Sequence, residues 1–428
     1  MNTSIKNKRI KNTVIVFLLS LGYISALFTY FEGAFTYGAS LIVLISIVLL
    51  FKEKEFYLFT PLFIFFYSQL IIPGDISVFR IYTVLFFIKI AMQTKVSLNK
   101  SLAVPLVLII FYALLVIAFY NFRFALMTIV DTSFIVLYIS VFLKGKANFN
   151  TFFKFYAYAA VLSIAYGALK LGGQITTSVY LNGAWVEISR FLGTFGDPNY
   201  FGFFTNIAIF SVLILTNMNK VKRILILIIL YAALIASVSI TAILCNGMGL
   251  LLYFLLMKGF GKKMVILFAS FLSVFFLYQL SLSGKLPILS NALIRIESMK
   301  LGVNDGAFSN LTSNRTTIWK DHLNYFADQP NFNILFGGNF ITDGGFNETL
   351  FSMVSHQVFI DMLLNFGLMG TLIFICFILF KINSHFRGYY KVKHEHFLLL
   401  ILIKFIWLFY AFGLSMFPSW TFLLFFFL

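Results

Sequence analysis

The chain has 428 residues, of which 61% are hydrophobic and only 11% are charged, and its formal net charge is +17. A soluble protein of this length needs many more charged side chains to cover its surface, so the composition excludes a soluble globular protein. A soluble protein this basic would suggest nucleic acid as a partner, but Lys and Arg clusters between apolar runs are typical of membrane proteins. We therefore predict an all-α, polytopic transmembrane protein with one integral membrane domain, residues 1–428, and no nucleic acid partner.

Apolar runs close to the length of a bilayer span follow one another along the chain. The first run, Val14–Phe31, follows a basic cluster as in a signal peptide, but it is long and lacks a small-residue cleavage site. We expect it to be retained as the first helix. About 12–14 spans are predicted, near residues 13–31, 35–51, 56–72, 79–94, 101–120, 125–143, 151–171, 198–216, 223–239, 243–257, 264–281, 356–380, 397–413 and 416–428.

The basic clusters indicate how these helices are oriented, because loops on the cytoplasmic side of a membrane are enriched in Lys and Arg. With the N-terminus in the cytoplasm, the clusters at 52–54, 220–223 and 258–263 all fall on the cytoplasmic side. Two polar segments then lie on the external side. They are a first external loop, 172–197, and a long external loop between late helices, 281–355.

Two parts of this topology stay open. The run Ile224–Met257 is too long for one helix and short for two, and Asn246 and Gly247 in its second half predict a tight turn or a broken helix. The last apolar run can span only if it begins near Ser415.

The two cysteines, Cys245 and Cys376, both lie in apolar runs. Their positions support no disulfide framework, and the sequence has no C-x-x-C motif for a metal or a redox centre.

The first external loop, 172–197, ends in a pattern that indicates an anion site at a helix start. Asp197 is a good N-cap and Pro198 suits the first helical position, so we expect the next span to begin there, at the membrane surface. The free N–H groups and positive dipole of that helix end favour an anion, and Arg190 is near enough in sequence to join them. The alternative is an ordinary helix cap with an interfacial arginine that meets lipid headgroups.

The long external loop carries a basic cluster with an aromatic ring. Arg315, Trp319 and Lys320 have the spacing of one face of a short amphipathic helix. The two cations could hold phosphate, and Trp319 could stack on a sugar or lie in the membrane interface. The alternative is an ordinary surface helix.

The next predicted span opens at His356. A lone histidine at a helix start is more often a cap or a surface residue than a chemical group. Asp361 lies one turn deeper, where an ionisable side chain is a functional candidate by default. Gly367 and Gly370 are expected to be helix-packing positions without a chemical role.

Three motifs, in this order, resemble the O-antigen ligase and polymerase superfamily, the Wzy-type enzymes of bacterial surface polysaccharide assembly. They are Arg190 with Gly193, Gly196 and Asp197-Pro198-Asn199 at a span start; Arg315 and Trp319 in the long external loop, followed by Gly337-Gly338; and His356 followed by Gly367 after ten intervening residues. Family members often carry Ser-Arg-Ser/Thr/Gly in the helix after the Asp-Pro-Asn span. Here Asn246 replaces that arginine, which puts its role in doubt and suggests a divergent subgroup, closer to capsule or exopolysaccharide polymerases.

The resemblance implies an inverting glycosyltransferase, without metal or cofactor, on the external face of the bacterial cytoplasmic membrane. Such an enzyme moves a glycan from undecaprenyl pyrophosphate to a lipid-linked repeat unit, with membrane lipid, a chain-length regulator and a flippase as further partners. Arg190 and Arg315 would hold the pyrophosphate, and His356 would receive the proton of the acceptor hydroxyl. The other candidates for pyrophosphate or substrate binding are Asp197, Asn199, Tyr200, Trp319, Lys320 and Asp361.

Three other functions remain open. A ligase of the same superfamily would transfer the finished glycan to another acceptor. A metal-dependent transferase acting on polyprenyl-phosphate sugars would need paired acids in the first loop between spans, where only Glu32 is present. A flippase or transporter for lipid-linked oligosaccharide has little use for the long external loop, but it would use charges within the spans, as at Lys89, Lys154, Lys170 and Lys404.

Overall fold

A computed structural model describes most of the chain. The described residues are 19–22, 34–67, 69–72, 76–93, 107, 110, 122–143, 146–169, 174–181, 184–214, 218–257, 294, 315–337, 357–392, 395–412 and 420–428. The predicted span 264–281 and most of the predicted spans 13–31 and 101–120 lie outside them.

The described part of the chain is mostly helical, as the sequence predicts. The helices are α1 (Ala34–Leu49), α2 (Phe59–Phe66), α3 (Val78–Ala91), α4 (Phe122–Val141), α5 (Lys146–Leu169), α6 (Pro198–Ile214), α7 (Lys220–Ala236), α8 (Ile240–Leu256), α9 (Arg315–Ala327), α10 (Asn331–Phe336), α11 (Val358–Val392), α12 (Glu395–Ala411) and α13 (Trp420–Phe427). A short 3-10 helix, Lys54–Leu58, leads into α2.

Two of the described helices are long and apolar enough to cross a membrane. Their apolar stretches are Asn148–Leu169 in α5 and Val358–Lys391 in α11. Shorter apolar stretches occur in α1, α4, α6 and α8.

The prediction of an all-α chain is wrong in two places, where antiparallel hairpins form. Strand β1 (Ile71–Ile72) forms at the end of the helix predicted over 56–72, and it pairs with β2 (Ile76–Ser77), which lies between that predicted helix and the next. Strands β3 (Gln174–Leu181) and β4 (Ala184–Phe191) pair over their whole length in the segment predicted to be the first external loop. Their β-branched residues favour the strand conformation.

The run 224–257 forms two helices, and the break between them lies earlier than predicted. α7 ends at Ala236 and α8 begins at Ile240. Ser239 caps α8, because its hydroxyl accepts a hydrogen bond from the Ala242 N–H. The residues from 237 to 239 therefore form the turn.

The turn or helix break predicted at Asn246 and Gly247 is wrong, since both residues lie inside α8. The Asn246 side chain is buried and donates to Asn206 Oδ1 on α6 at 2.8 Å. Its polar group is thus satisfied across a helix contact and needs no interruption of the backbone.

The helix predicted over 356–380 is interrupted at Gly367, which has φ 63° and ψ −171°, and α11 continues beyond the break to Val392. A Cβ on Gly367 would lie 2.4 Å from the Leu335 carbonyl carbon, and a Cβ on Gly337 would lie 2.2 Å from the Asn365 carbonyl oxygen. The backbone of α10 therefore rests against the break in α11, where only glycine leaves room.

Helix α6 is the centre of the described bundle, packed against α5, α7, α8 and α12. Its Asn206 amide donates to the Ala242 carbonyl at 3.0 Å and to the Tyr410 hydroxyl at 3.2 Å. Gly202 lets α8 approach closely, because a Cβ there would lie 2.4 Å from the Ala242 Cβ. These contacts fix the position of α6 against α8 and α12.

We expect Gly367→Ala to lower the stability of the detergent-solubilised protein by about 1–3 kcal/mol, because alanine is strained at this φ and its Cβ meets the α10 backbone. Thermal unfolding would measure the change. The matched control is Gly247→Ala, which introduces a good helix former inside α8, where a Cβ meets nothing within 4 Å. Equal unfolding temperatures for both variants would contradict the close contact between α10 and α11.

Candidate functional site

Arg190 lies near the end of β4 and is buried rather than open to lipid headgroups. Its side chain is 7% exposed, and Nε donates to the Ser237 carbonyl oxygen at 3.3 Å. The same hairpin face buries Ile188, which holds β4 against the bundle. This environment disfavours a simple interfacial arginine and gives the guanidinium a defined place beside the turn between α7 and α8.

The loop between β4 and α6 is fastened from two sides. Gly193 has φ 60°, a conformation that favours glycine. The hydroxyls of Thr194 and of Ser163, on α5, are 2.8 Å apart, and the Gln69 amide donates to the Thr194 carbonyl at 2.9 Å. The path from Arg190 to α6 is therefore set by bonds to both sides of the loop.

Asp197 caps α6 as predicted. Its Oδ1 accepts hydrogen bonds from the backbone N–H groups of Asn199, at 2.6 Å, and Tyr200, at 3.3 Å. Pro198 is the first residue of the helix, also as predicted. The Asn199 side chain has a partner that the sequence did not indicate, since its Oδ1 accepts a hydrogen bond from Ser239 Oγ at 2.6 Å. The N-terminal ends of α6 and α8 therefore lie side by side.

Asp361 belongs to the same region. The carboxylates of Asp361 and Asp197 both act electrostatically on the Tyr200 hydroxyl. Asp361 is partly buried in the first turn of α11, and its carbonyl accepts a hydrogen bond from the Asn365 amide at 2.7 Å. Asp361, in the first turn of α11, is thus within electrostatic range of Tyr200, in the first turn of α6.

Helices α9 and α10, in the segment predicted to be the long external loop, pack onto α11. The helix predicted around Arg315 is present as α9, which begins at that residue, but Trp319 and Lys320, predicted to share one face of it, lie in different environments. Trp319 packs against Ile360 and Leu364, while Lys320 is exposed. The Trp319 ring therefore helps to anchor α9, and Lys320 points into solvent. The side chain of Arg315 lies outside the described part of the chain.

His322 is a buried histidine within α9. It is 2% exposed, and its Nδ1 lies 2.7 Å from the Ile318 carbonyl oxygen. Burial lowers the pKa of the His322 imidazole, although the Ile318 carbonyl and the nearby Asp321 carboxylate partly oppose this effect. These contacts indicate a structural role within the helix.

His356 lies outside the described residues, which resume at Gln357, the residue before α11. Within the described residues there is no group of three His, Cys, Asp or Glu side chains that could hold a metal ion. Hydrogen bonds connect Arg190 to Asn199 through the turn between α7 and α8, and connect Asp197 to the backbone of Asn199 and Tyr200. Asp361 is linked to this group by its electrostatic effect on the Tyr200 hydroxyl.

Sequence reasoning missed the turn from Ser237 to Ser239, which contacts both Arg190 and Asn199. A signal was present, because Ser-Val-Ser interrupts a long apolar run and serine is a preferred N-cap residue. Asn246 and Gly247 were a stronger breaker pair by residue type, but the tertiary contact to Asn206 keeps that segment helical.

The arrangement can stabilise negative charge. The N-terminal end of α6 carries the positive end of its dipole, and Arg190 adds a buried permanent cation held through Nε. Arginine forms strong, charge-assisted hydrogen bonds to phosphate. The Asp197 and Asp361 carboxylates, which both act electrostatically on Tyr200, supply hydrogen-bond acceptors.

Residues 206–375 match the family model described as O-antigen ligase. This range includes Arg315, His356 and Asp361 and begins shortly after Arg190 and the Asp197 cap. No curated protein and no solved structure matches the chain. The resemblance inferred from the motifs is therefore confirmed, and the chain carries, over residues 206–375, a domain of the O-antigen ligase and polymerase superfamily.

Proposed function

We propose that this protein is a bacterial surface polysaccharide polymerase, a multi-pass enzyme of the cytoplasmic membrane that works on its external face. It transfers a glycan from undecaprenyl pyrophosphate to a lipid-linked repeat unit and requires no metal. The observation that carries the proposal is buried Arg190, held by Ser237 beside the capped start of α6, in a chain with an O-antigen ligase domain.

The reaction requires the stabilisation of a leaving group. The acceptor hydroxyl attacks the anomeric carbon from the side opposite the pyrophosphate, the carbon–oxygen bond to phosphate breaks, and the lipid pyrophosphate leaves with the bonding electron pair. Fixed cations stabilise the charge that develops on it. Arg190 and Arg315 are the proposed pair, with Asn199, Tyr200, Trp319 and Lys320 as neighbouring substrate contacts.

The proton of the acceptor hydroxyl needs a base, and His356 is the leading candidate because its unperturbed pKa is near neutrality. Asp361, at the start of α11, is the second choice, since its carboxylate acts electrostatically on Tyr200. Asp197 is less suitable, because its Oδ1 already accepts two backbone hydrogen bonds as the cap of α6.

The flippase alternative loses support where its charged residues are described. Lys89 donates to the carbonyl oxygens of Phe51 and Glu53, and Lys404 donates to those of Phe425 and Phe426. Each lysine therefore satisfies two backbone carbonyl groups. Lys154 is partly buried, and Lys170 lies outside the described residues. A pathway for a polar headgroup would need cations that face a cavity.

We expect Arg190→Ala to reduce glycan transfer by about 10²–10³-fold, because it removes a fixed cation from the leaving group. Arg190→Lys should retain only part of the wild-type transfer rate, since lysine keeps the charge but lacks the Nε donor. The control is Lys391→Ala, which removes an exposed cation at the other end of α11.

The Arg190 variants would be compared at equal expression in cells that lack the native gene, by resolving the lipid-linked and surface glycans. Single repeat units on lipid indicate a lost polymerase, and full-length polymer retained on lipid indicates a lost ligase. Repeat units that accumulate on the cytoplasmic side indicate a flippase. Normal polymer with Arg190→Ala would refute the proposed role of Arg190 in holding the pyrophosphate.

The choice of base can be tested with His356→Ala and Asp361→Asn. We expect His356→Ala to lower the transfer rate in reconstituted vesicles by about 10²–10⁴-fold, the usual contribution of a general base. Asp361→Asn should cost less. His396→Ala is a suitable control, because His396, near the start of α12, packs against the Phe149 ring and belongs to no candidate site. A His356→Ala enzyme with nearly normal turnover would exclude His356 as the base.

The proposed orientation, with a cytoplasmic N-terminus and an external β3–β4 hairpin, predicts which residues an impermeant thiol reagent reaches. In a chain with both native cysteines replaced by serine, a cysteine at exposed Glu187 should be labelled in intact spheroplasts. A cysteine at exposed Lys391 should be labelled only after permeabilisation. The reverse pattern would invert the topology and remove the proposed external site.

A further inference from the structure

The turn between α7 and α8 contains an unusual backbone conformation. Val238 has φ 48°, and it is the one non-glycine residue with positive φ in the described part of the chain. This conformation is unfavourable for L-residues and especially for a β-branched side chain, which makes Val238 a genuine outlier. The Val238 side chain is 1% exposed, so the surrounding bundle holds the conformation in place.

The two residues that flank Val238 hold two candidate site residues from other elements. The Ser237 carbonyl accepts a hydrogen bond from Arg190 Nε on β4, and the Ser239 hydroxyl donates to Asn199 Oδ1 on α6. Ser237 and Ser239 are both fully buried. Three adjacent residues thus join the hairpin, the start of α6 and the start of α8.

Internal bonds make the turn rigid. The Ser237 hydroxyl donates to the Leu234 carbonyl at 2.6 Å and accepts from the Ser239 N–H at 3.3 Å. The Val238 N–H donates to the Ile235 carbonyl at 3.0 Å. Both ends of the turn are therefore fixed to their helices, and Val238 must absorb the reversal of the chain between them.

We propose that the turn from Ser237 to Ser239 is a positioning device that sets Arg190 and Asn199 at a fixed separation for the pyrophosphate of the substrate. The inference rests on the proposed function and adds Ser239 as a positioning residue. A glycine would be the ordinary residue after a helix end with positive φ. Unfavourable backbone conformations persist where the surroundings over-determine them, and they cluster at functional sites.

Ser239 has two roles that an experiment must separate. Its hydroxyl accepts from the Ala242 N–H, which stabilises α8, and it donates to Asn199, which positions the start of α6. Ser239→Gly removes the hydroxyl, but glycine is a tolerated N-cap residue and costs little helix stability. Ser239→Thr keeps a hydroxyl able to form both bonds.

The chain offers a matched control for the cap. Asn219 caps α7, and its side chain accepts a hydrogen bond from the Val221 N–H at 3.1 Å. Asn219→Ala therefore removes a helix cap of the same kind at the other end of α7. It should change the unfolding temperature without changing glycan transfer.

The full-length protein would be reconstituted in vesicles with lipid-linked oligosaccharide extracted from cells that lack the native gene. We expect Ser239→Gly to lower kcat by about tenfold or more, with a smaller change in KM, because a misplaced clamp acts on the transition state. Inhibition by inorganic pyrophosphate should weaken in parallel. Ser239→Thr should recover most of the rate, and Asn219→Ala should retain it.

Two results would overturn the positioning role. One is a wild-type rate with Ser239→Gly, and the other is a loss of rate that merely follows unfolding temperature across the Ser239 and Asn219 variants. Arg190→Ala distinguishes this failure from failure of the proposed function. If Arg190→Ala abolishes transfer while Ser239→Gly does not, only the positioning role is lost. If neither variant affects transfer, both the positioning role and the proposed function are lost.

Discussion

Polar groups buried in an apolar bundle must find hydrogen-bond partners, and Asn206 on α6 meets this requirement in a way that fixes the rest of the site. Its amide bonds to the Ala242 carbonyl and the Tyr410 hydroxyl, and its Oδ1 accepts from Asn246. One side chain thereby joins α6 to α8 and α12. Because an unpaired amide in such an environment is costly, these helices have one favourable alignment. That alignment places Ser239 at the cap of α8 within reach of Asn199 near the start of α6.

The described site is therefore assembled from rigid parts. Arg190 is on a strand, Asp197 and Asn199 are at a helix start, and Asp361 is in the first turn of α11. The loop between β4 and α6 is held by hydrogen bonds from Thr194 to Ser163 and Gln69. Electrostatic stabilisation of a leaving group is most effective when the donors need no rearrangement during the reaction. An arrangement of this kind suits the transfer chemistry proposed for this chain.

The sequence was a good guide where one local rule decides the structure. Hydropathy predicted most of the described helices, and residue type predicted the Asp197 cap and Pro198 at the start of α6. The β3–β4 hairpin could also have been predicted. Asn182-Gly183 stands between two runs rich in β-branched and aromatic residues, which is the strongest short-range hairpin signal. The pairing of Leu181 with Ala184 agrees with a two-residue connection. The apolar composition of the chain favoured an all-helical interpretation, and the hairpin was therefore not predicted.

Contacts between distant segments could not be predicted from local patterns. Asn246 and Gly247 look like a helix break until Asn206, on another helix, supplies the partner of the asparagine. Gly367 looks like an ordinary packing glycine until α10 is placed against it. In both cases the deciding atoms belong to an element far away in sequence, and tertiary packing overrides propensity.

The contact between Gly337 and Gly367 also bears on how the segment predicted to be the long external loop could serve the proposed reaction. A segment held only by side chains can shift as those side chains change rotamer, whereas here two backbones meet where a Cβ would not fit. Trp319 adds a second anchor on Ile360 and Leu364, in the turns of α11 that follow Asp361. The start of α9, where Arg315 stands, is therefore tied to the helix that also carries Asp361. If Arg315 contributes a cation to the pyrophosphate, α11 is the helix that sets the position of Arg315 relative to the start of α6.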